Sequence, residues 1–351
     1  MLQFDKHFNL TNCIDKEPTN ISNPVFFDIE TTGLHHKYSY MYIIGILYQA
    51  NGKWTLRQWF AEKPSDETVI LKAFINFIKP TYHLVHYNGN SFDLPYLQSR
   101  CKFHNISTKI FDTLESLDLY RCIKPYQKKL GLEKLTQKSI EQFLGLPRKD
   151  TFSGKELIEV YKGYLQSGDE KCLQQLLLHN QEDIVNMSSL IALTSYQYFF
   201  EGNYDIIDIT FDTNNLIINL KLDYLIAQPL IYEDTQYLLS LNEGIAMIKV
   251  PLYHGTLKYF YEPYQDYYYL PAEDKAIHKS VATYVDREYR TPATAKNCYQ
   301  KTTGTFVPQY TTIITPAFRT EKTTSISYFS SDIDIPNIEE WRPYINHLLK
   351  T

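Results

Sequence analysis

The sequence predicts an α/β domain with a mixed sheet flanked by helices, followed by a β-rich α+β domain. Three observations carry this. Strand-like runs at Pro24–Glu30, Tyr40–Gln49 and Lys53–Phe60 open the first half in quick succession. Helical periodicity, interrupted by one short apolar run, then dominates as far as Phe200, and alternating strand patterns return from Ile206. With 351 residues and 44% hydrophobic content, the chain has material for two moderate cores. The expected division is a lead-in at 1–23, the α/β domain at 24–202 and the β-rich domain at 203–351, with the boundary near Glu201–Tyr204 and no long linker.

Taken in order, a polar lead-in containing Asn20, Ser22 and Asn23 gives way to the strand Pro24–Glu30, which enters a turn at Thr31–Gly33. Asn51-Gly52, between two apolar and aromatic runs, signals a tight hairpin. Ser65 or Asp66 is placed to cap a helix in which Val69, Ile70, Ala73, Phe74, Phe77 and Ile78 recur at helical spacing until Pro80. Leu84 and Val85 begin a short buried strand, and Asn88-Gly89-Asn90-Ser91 turns the chain into a helix running towards Arg100. Further helices are expected at Leu135–Leu144, Lys155–Leu165 and from Lys171 to about Phe200. Strand, strand, strand, helix, strand, helix is the opening of an RNase H-like (ribonuclease H-like) fold. In the second half, Ile206–Phe211 and Leu216–Leu222 flank a turn at Asn214-Asn215, and Tyr237–Leu241 and Ile245–Val250 flank Asn242-Glu243-Gly244. One helix, Ala272–Arg290 after Pro271, is expected among these strands.

Composition bounds the function. A formal charge of −5 gives no global attraction to a polyanion, so any nucleic-acid contact must be a local basic patch. The 30 tyrosines suit broad strand surfaces and base-stacking platforms. Five scattered cysteines, Cys13, Cys101, Cys122, Cys172 and Cys298, include no CxxC pair and argue against a disulfide framework or zinc site. No run reaches transmembrane length, and Met1–Cys13 holds no apolar leader. A soluble cytoplasmic protein with no membrane partner is expected.

Chemistry concentrates in three places. In Phe26-Phe27-Asp28-Ile29-Glu30, strand alternation projects Asp28 and Glu30 from one face while Phe27 and Ile29 bury the other. Two acids held side by side repel unless a cation sits between them, and hard divalent ions take such oxygen ligands. Asp93 lies in the first helical turn after His86-Tyr87-Asn88-Gly89-Asn90-Ser91. His179 and Asp183, four residues apart, share one face of the long helix. Each element alone has an ordinary explanation: a solvated strand end, an acid favoured by the helix dipole, a spectator histidine.

Together, Phe27–Leu34, Asn88–Asp93 and His179–Asp183 resemble the three exonuclease motifs of the DEDD superfamily of RNase H-like 3′–5′ exonucleases, most closely its YprB-type bacterial branch. The resemblance runs in order over roughly Pro24–Phe200 and takes in Asp118-Leu119-Tyr120-Arg121 and Leu144-Gly145-Leu146-Pro147-Arg148. His179 precedes Asp183 by four residues, where the usual histidine class has five. The resemblance implies that Asp28, Glu30, Asp93 and Asp183 hold two Mg2+ or Mn2+ ions, that His179 takes a proton from the attacking water, and that a nucleic acid with single-stranded ends is cut. Asp118 is at most a supporting residue, since a helix N-cap explains it equally well.

Substrate contacts are expected from Thr31 and Asn88 beside the acids, and from Arg121, Lys128, Lys129 and Arg148 in a basic stretch opposed only by Glu133 and Glu141. A solvated helix surface is the plain alternative for that stretch. Two other functions compete with the exonuclease: a non-catalytic nucleic-acid-binding or scaffold protein on the same fold, and a metal enzyme that cuts internally or acts on small phosphodiesters. The residues do not choose between DNA and RNA, nor assign an oligomeric state or a role for 203–351.

Overall fold

A computed structural model describes residues 1–10 and 21–350; Cys13 and Asn20 lie outside the described residues. Two compact units result, Met1–Tyr198 with Tyr224–Gln228, and Phe199–Asp223 with Pro229–Thr351. The first is built on strands β1 (Leu2–Phe8), β2 (Pro24–Thr31), β3 (Met41–Ala50), β4 (Lys53–Phe60), β5 (His83–His86) and β6 (Glu115–Asp118). Their order in the sheet is β1-β4-β3-β2-β5-β6, antiparallel from β1 to β2 and parallel from β2 to β6. The helices are α1 (Glu67–Phe77), α2 (Asp93–Phe103), α3 (Leu119–Ile123), α4 (Gln137–Phe143), α5 (Gly154–Ser167), α6 (Glu170–Leu190) and α7 (Thr194–Phe200). This is an RNase H-like domain, a mixed sheet flanked by helices.

The hairpin at Asn51-Gly52 forms as expected, both residues taking positive φ, which glycine and asparagine tolerate best. On β2 the two faces separate. Phe27 packs on Phe74 of α1, ring centroids 5.1 Å apart, and joins the buried core with Ile29. Asp28 turns to the opposite face, where its carboxylate meets Asn180 of α6. Gly45 stands opposite Asp28 on β3, and Gln58 stands opposite Gly45 on β4. A Cβ at Gly45 would lie 2.1 Å from Asn180 Oδ1 and 2.3 Å from Ile184 Cδ1, so the missing side chain is what lets α6 lie against the sheet.

Several local expectations are corrected. The segment Leu2–Phe8, taken as lead-in, is edge strand β1 paired along its length with β4. Asp66 does not cap α1 with its side chain; it binds the Met1 amine at 2.8 Å and the Glu62 N–H. The helix from Lys171 does not run unbroken to Phe200. It stops at Leu190 and resumes at Thr194 after one tighter turn, where Thr194 and Ser195 hydroxyls donate back to the carbonyls of Ile191 and Ala192.

The second unit is strand-rich. A five-stranded sheet is ordered β7 (Asp205–Phe211), β8 (Asn215–Lys221), β11 (Ile245–Pro251), β10 (Leu238–Asn242), β9 (Leu230–Glu233). A closed barrel joins β12 (Tyr253–Phe260), β16 (Tyr299–Gln309), β18 (Ser327–Ser330) and β17 (Phe318–Arg319), and a small sheet joins β14 (Lys275–His278), β13 (Tyr267–Leu270) and β15 (Thr291–Pro292). The described helices here are α8 (Lys279–Ala282) and α9 (Arg342–Lys350), with two single 3-10 turns between strands and one leading into α9. The expected helix Ala272–Arg290 is therefore absent but for Lys279–Ala282. Asp274 takes a positive φ and accepts the hydroxyls of Tyr269 and Tyr299, turning the chain so that Lys275–His278 pairs with β13; tertiary pairing overrides weak helix propensity. Among the described residues, no helix is long and apolar enough to cross a membrane.

Gly45→Ala is expected to destabilise the protein by about 1–3 kcal/mol, the usual cost of forcing atoms into a filled interface. Urea unfolding measures this. A wild-type midpoint would mean that α6 does not depend on the gap.

Candidate active site

Three parts of the chain meet at one end of the sheet. Strand β2 supplies Asp28 and Glu30, and α6 supplies His179, Asn180 and Asp183. Asn180 donates to Asp28 Oδ2 at 2.9 Å and its own amide oxygen accepts from Gln58 at 2.9 Å, which fixes the rotation of α6 over the strands. One turn apart on that helix, His179 and Asp183 face Glu30: His179 Nε2 lies 3.1 Å from Asp183 Oδ2 and 3.5 Å from Glu30 Oε1. Among the described residues, Glu30, His179 and Asp183 each present a ligand atom, all within 4.8 Å of one another.

Asp93 arrives from the turn after β5. His86 Nδ1 accepts the Gly89 N–H at 3.2 Å, and a Cβ at Gly89 would strike the His86 ring at 2.7 Å, so glycine is required there. Burial holds the His86 ring neutral, its pKa pushed down to about 4. Asp118 does not cap α3 with its side chain. Its carboxylate accepts the N–H groups of Asn88 at 2.9 Å and Asn90 at 3.3 Å, pinning the turn from which α2 begins at Asp93.

Electrostatics divides these acids into two sets. Burial, then repulsion from Glu30, Asp93 and Asp183, raises the Asp28 carboxyl well above the carboxylate range. Glu30 is raised in the same way, by burial and then by Asp183 and Asp93. Burial pushes Asp93 up to about 7. Asp183 is different: burial opposes its charge, but His179 and Arg148 hold it below the ordinary value. Arg148 Nη1 approaches Asp183 Oδ1 at 2.6 Å and Glu141 at 3.0 Å. Asp150 lies behind His179, with Nδ1 at 2.7 Å from its Oδ2. Burial opposes its charge too, yet His179 holds it down at about 2. The His179 imidazole is itself raised, Asp183 and Asp150 outweighing the burial that would lower it.

The structure thus brings Asp28, Glu30, Asp93, His179 and Asp183 into one electrostatic cluster. The expected substrate contacts are dispersed. Thr31 donates to the Gly33 carbonyl, Asn88 holds a positive φ in its turn, Arg121 is exposed 3.7 Å from Asp118, and Lys128 is exposed. Lys129 is buried. Arg148 is enclosed by Glu141, Asp150 and Asp183 rather than presented to solvent. Asp150 and Asn180 went unnoticed in the sequence; adjacency to His179 on α6 is the one signal that could have found Asn180.

Oxygen donors in a half-buried group, three of them at raised pKa, fit a hard divalent cation, which would relieve the repulsion that protonation otherwise relieves. Residues 25–195 match the family model described as the RNase_H superfamily. No curated protein matches the chain in sequence. Among solved structures, it is similar to the family B DNA polymerase from the hyperthermophilic archaeon Pyrobaculum calidifontis, with TM-score 0.39 and 13% identity over 69% of this chain and 34% of that one. A zinc-bound E. coli ExoI–ssDNA complex gives TM-score 0.31 and 8% identity over 94% and 70%. An ExoI/SSB-Ct complex gives 0.30 and 11% over 64% and 56%, so the chain spans about a third of the polymerase and just over half of this last protein.

The raised carboxyls contribute to the pH dependence of the metal-free protein. A group whose folded pKa is raised stabilises the fold below its unfolded value, near pH 4, and that contribution is lost as pH climbs through the folded value. For Asp93 the window is therefore about pH 4–7, and full ionisation costs up to ~4 kcal/mol. With chelator present, the wild-type melting temperature is expected to fall from pH 5 to pH 8, and Asp93→Asn to fall less and melt no lower than wild type at pH 8. Parallel curves would show that Asp93 carries no such penalty.

Proposed function

We propose that this protein is a two-metal-ion-dependent nuclease of the DEDD type, a 3′–5′ exonuclease of the YprB-type branch hydrolysing phosphodiester bonds in single-stranded DNA or RNA. The observation that supports this most directly is the cluster itself, in which four carboxylates and one histidine from three separated segments converge on an RNase H-like sheet. Asp28, Glu30, Asp93 and Asp183 would hold two Mg2+ or Mn2+ ions, which when bound neutralise phosphate charge and make water more acidic. His179 then acts as general base through Nε2, the ring nitrogen turned towards Glu30 and Asp183. Thr31, Asn88, Arg121 and Lys128 belong to the proposed nucleic-acid contacts. The reading includes domains at 24–202 and 203–351 and residence in the cytoplasm, for which the free thiols of Cys101, Cys172 and Cys298 are support.

One observation favours the non-catalytic alternative: Arg148 and His179 engage both Asp183 oxygens, partly neutralising the cluster from within. A single assay separates the two. End-labelled single-stranded DNA and RNA, incubated with and without Mn2+, should yield a metal-dependent ladder shortening from the 3′ end. Asp28→Ala and Asp183→Ala should abolish it, and His179→Ala should slow turnover by about 10²–10⁴-fold. Undiminished cleavage by Asp28→Ala would reject the assignment.

A further inference from the structure

The residues between α4 and α5 form a brace behind the histidine. Glu182 accepts the backbone N–H groups of Lys149 and Asp150 at 2.8–3.0 Å, so this segment is tied to α6 at the residue preceding Asp183. Asp150 is thereby pressed against the rear of the His179 ring. Four groups reach its carboxylate: the ring nitrogen Nδ1 of His179 at 2.7 Å, the cations Arg148 Nη2 at 3.1 Å and Lys138 at 3.3 Å on Oδ2, and the Phe152 N–H on Oδ1 at 3.1 Å. Both ends of the imidazole consequently face carboxylates, but unequally. The Nδ1 end is closed by a buried acid, whereas the Nε2 end looks onto the carboxylates of Asp183 and Glu30 at 3.1 and 3.5 Å. A neutral imidazole carries one proton, and the shorter, better-enclosed acceptor claims it.

We propose that Asp150 is a positioning residue that fixes His179 as the Nδ1–H tautomer and holds its ring plane, leaving the Nε2 lone pair directed at the reacting water. This rests on the reading of His179 as general base. No proton reaches Asp150 in the cycle; the water proton moves to Nε2 and Nδ1–H stays hydrogen-bonded to the carboxylate. Arg148 and Lys138 keep that carboxylate in place, which gives the enclosed Arg148 a task other than binding a phosphate backbone.

Two measurements test this, and the first needs no cleavage. In 15N-histidine-labelled wild-type protein, above the pH at which the ring loses its second proton, His179 should show a protonated Nδ1 and an unprotonated Nε2, and Asp150→Ala should abolish that preference. A wild-type ring protonated on Nε2 overturns the proposal. The second is a double-mutant cycle on the oligonucleotide assay with Mn2+. Asp150→Ala should lower turnover by about 10–100-fold at unchanged KM, as loss of a histidine's supporting hydrogen bond does elsewhere. In a His179→Ala background the same change should cost nothing further. An undiminished loss there means that Asp150 only holds the fold together, and overturns its positioning role. If wild-type protein cuts no substrate, the nuclease reading falls, and the nitrogen spectrum alone decides the role of Asp150.

Discussion

One absent side chain organises the first unit. Gly45 leaves a gap in the middle of the sheet, and α6 settles into it far enough for Asn180 to bridge Asp28 and Gln58. Those two residues flank Gly45 at the same level across three adjacent strands, so the bridge fixes both the height and the rotation of the helix. His179 and Asp183 follow without further choice, because they lie one residue before and three after Asn180 on the same rigid element. The opposite face of β2 needs no such device, since Phe27 and Ile29 bury themselves against α1 by ordinary apolar packing.

This arrangement leaves an uneven charge balance. Asp183 and Asp150 have cations at hand in Arg148, Lys138 and His179, and both keep lowered pKa values. Glu30 has the His179 ring at 3.5 Å, yet burial with mutual repulsion raises Asp28, Glu30 and Asp93 all three. A protein that spends stability on crowding acids in this way gains from a ligand that binds the folded state and neutralises them. The half of the cluster near Arg148 is self-sufficient, and the half on β2 and α2 is where a divalent ion has most to offer.

Much of this was legible in the sequence, for identifiable reasons. Alternation on β2 put Asp28 and Glu30 on one face, and the spacing of His179 and Asp183 put them on one face of a helix; both rules depend only on backbone geometry. Asp150 obeyed no period and stood beside Arg148 and Lys149, which read as a basic surface. Whether an arginine meets solvent or three carboxylates depends on the path of the chain between α4 and α6, and no local pattern encodes it. Gly45 sat inside an apolar run where nothing marks a glycine as a contact point. The strand Leu2–Phe8 was hidden by its charges, which suit an exposed edge rather than a lead-in. In the second unit, Ala272–Arg290 looked helical residue by residue, and strand pairing decided otherwise.

The central claim is that the carboxylate cluster is a divalent-cation site, and calorimetric titration of chelator-stripped protein with Mn2+ tests it without reference to any substrate. Wild-type protein should bind two ions saturably, and Asp28→Ala should lose or greatly weaken that binding while keeping its circular dichroism spectrum. Absence of saturable binding to the wild type, or unaltered binding to Asp28→Ala, would contradict the account.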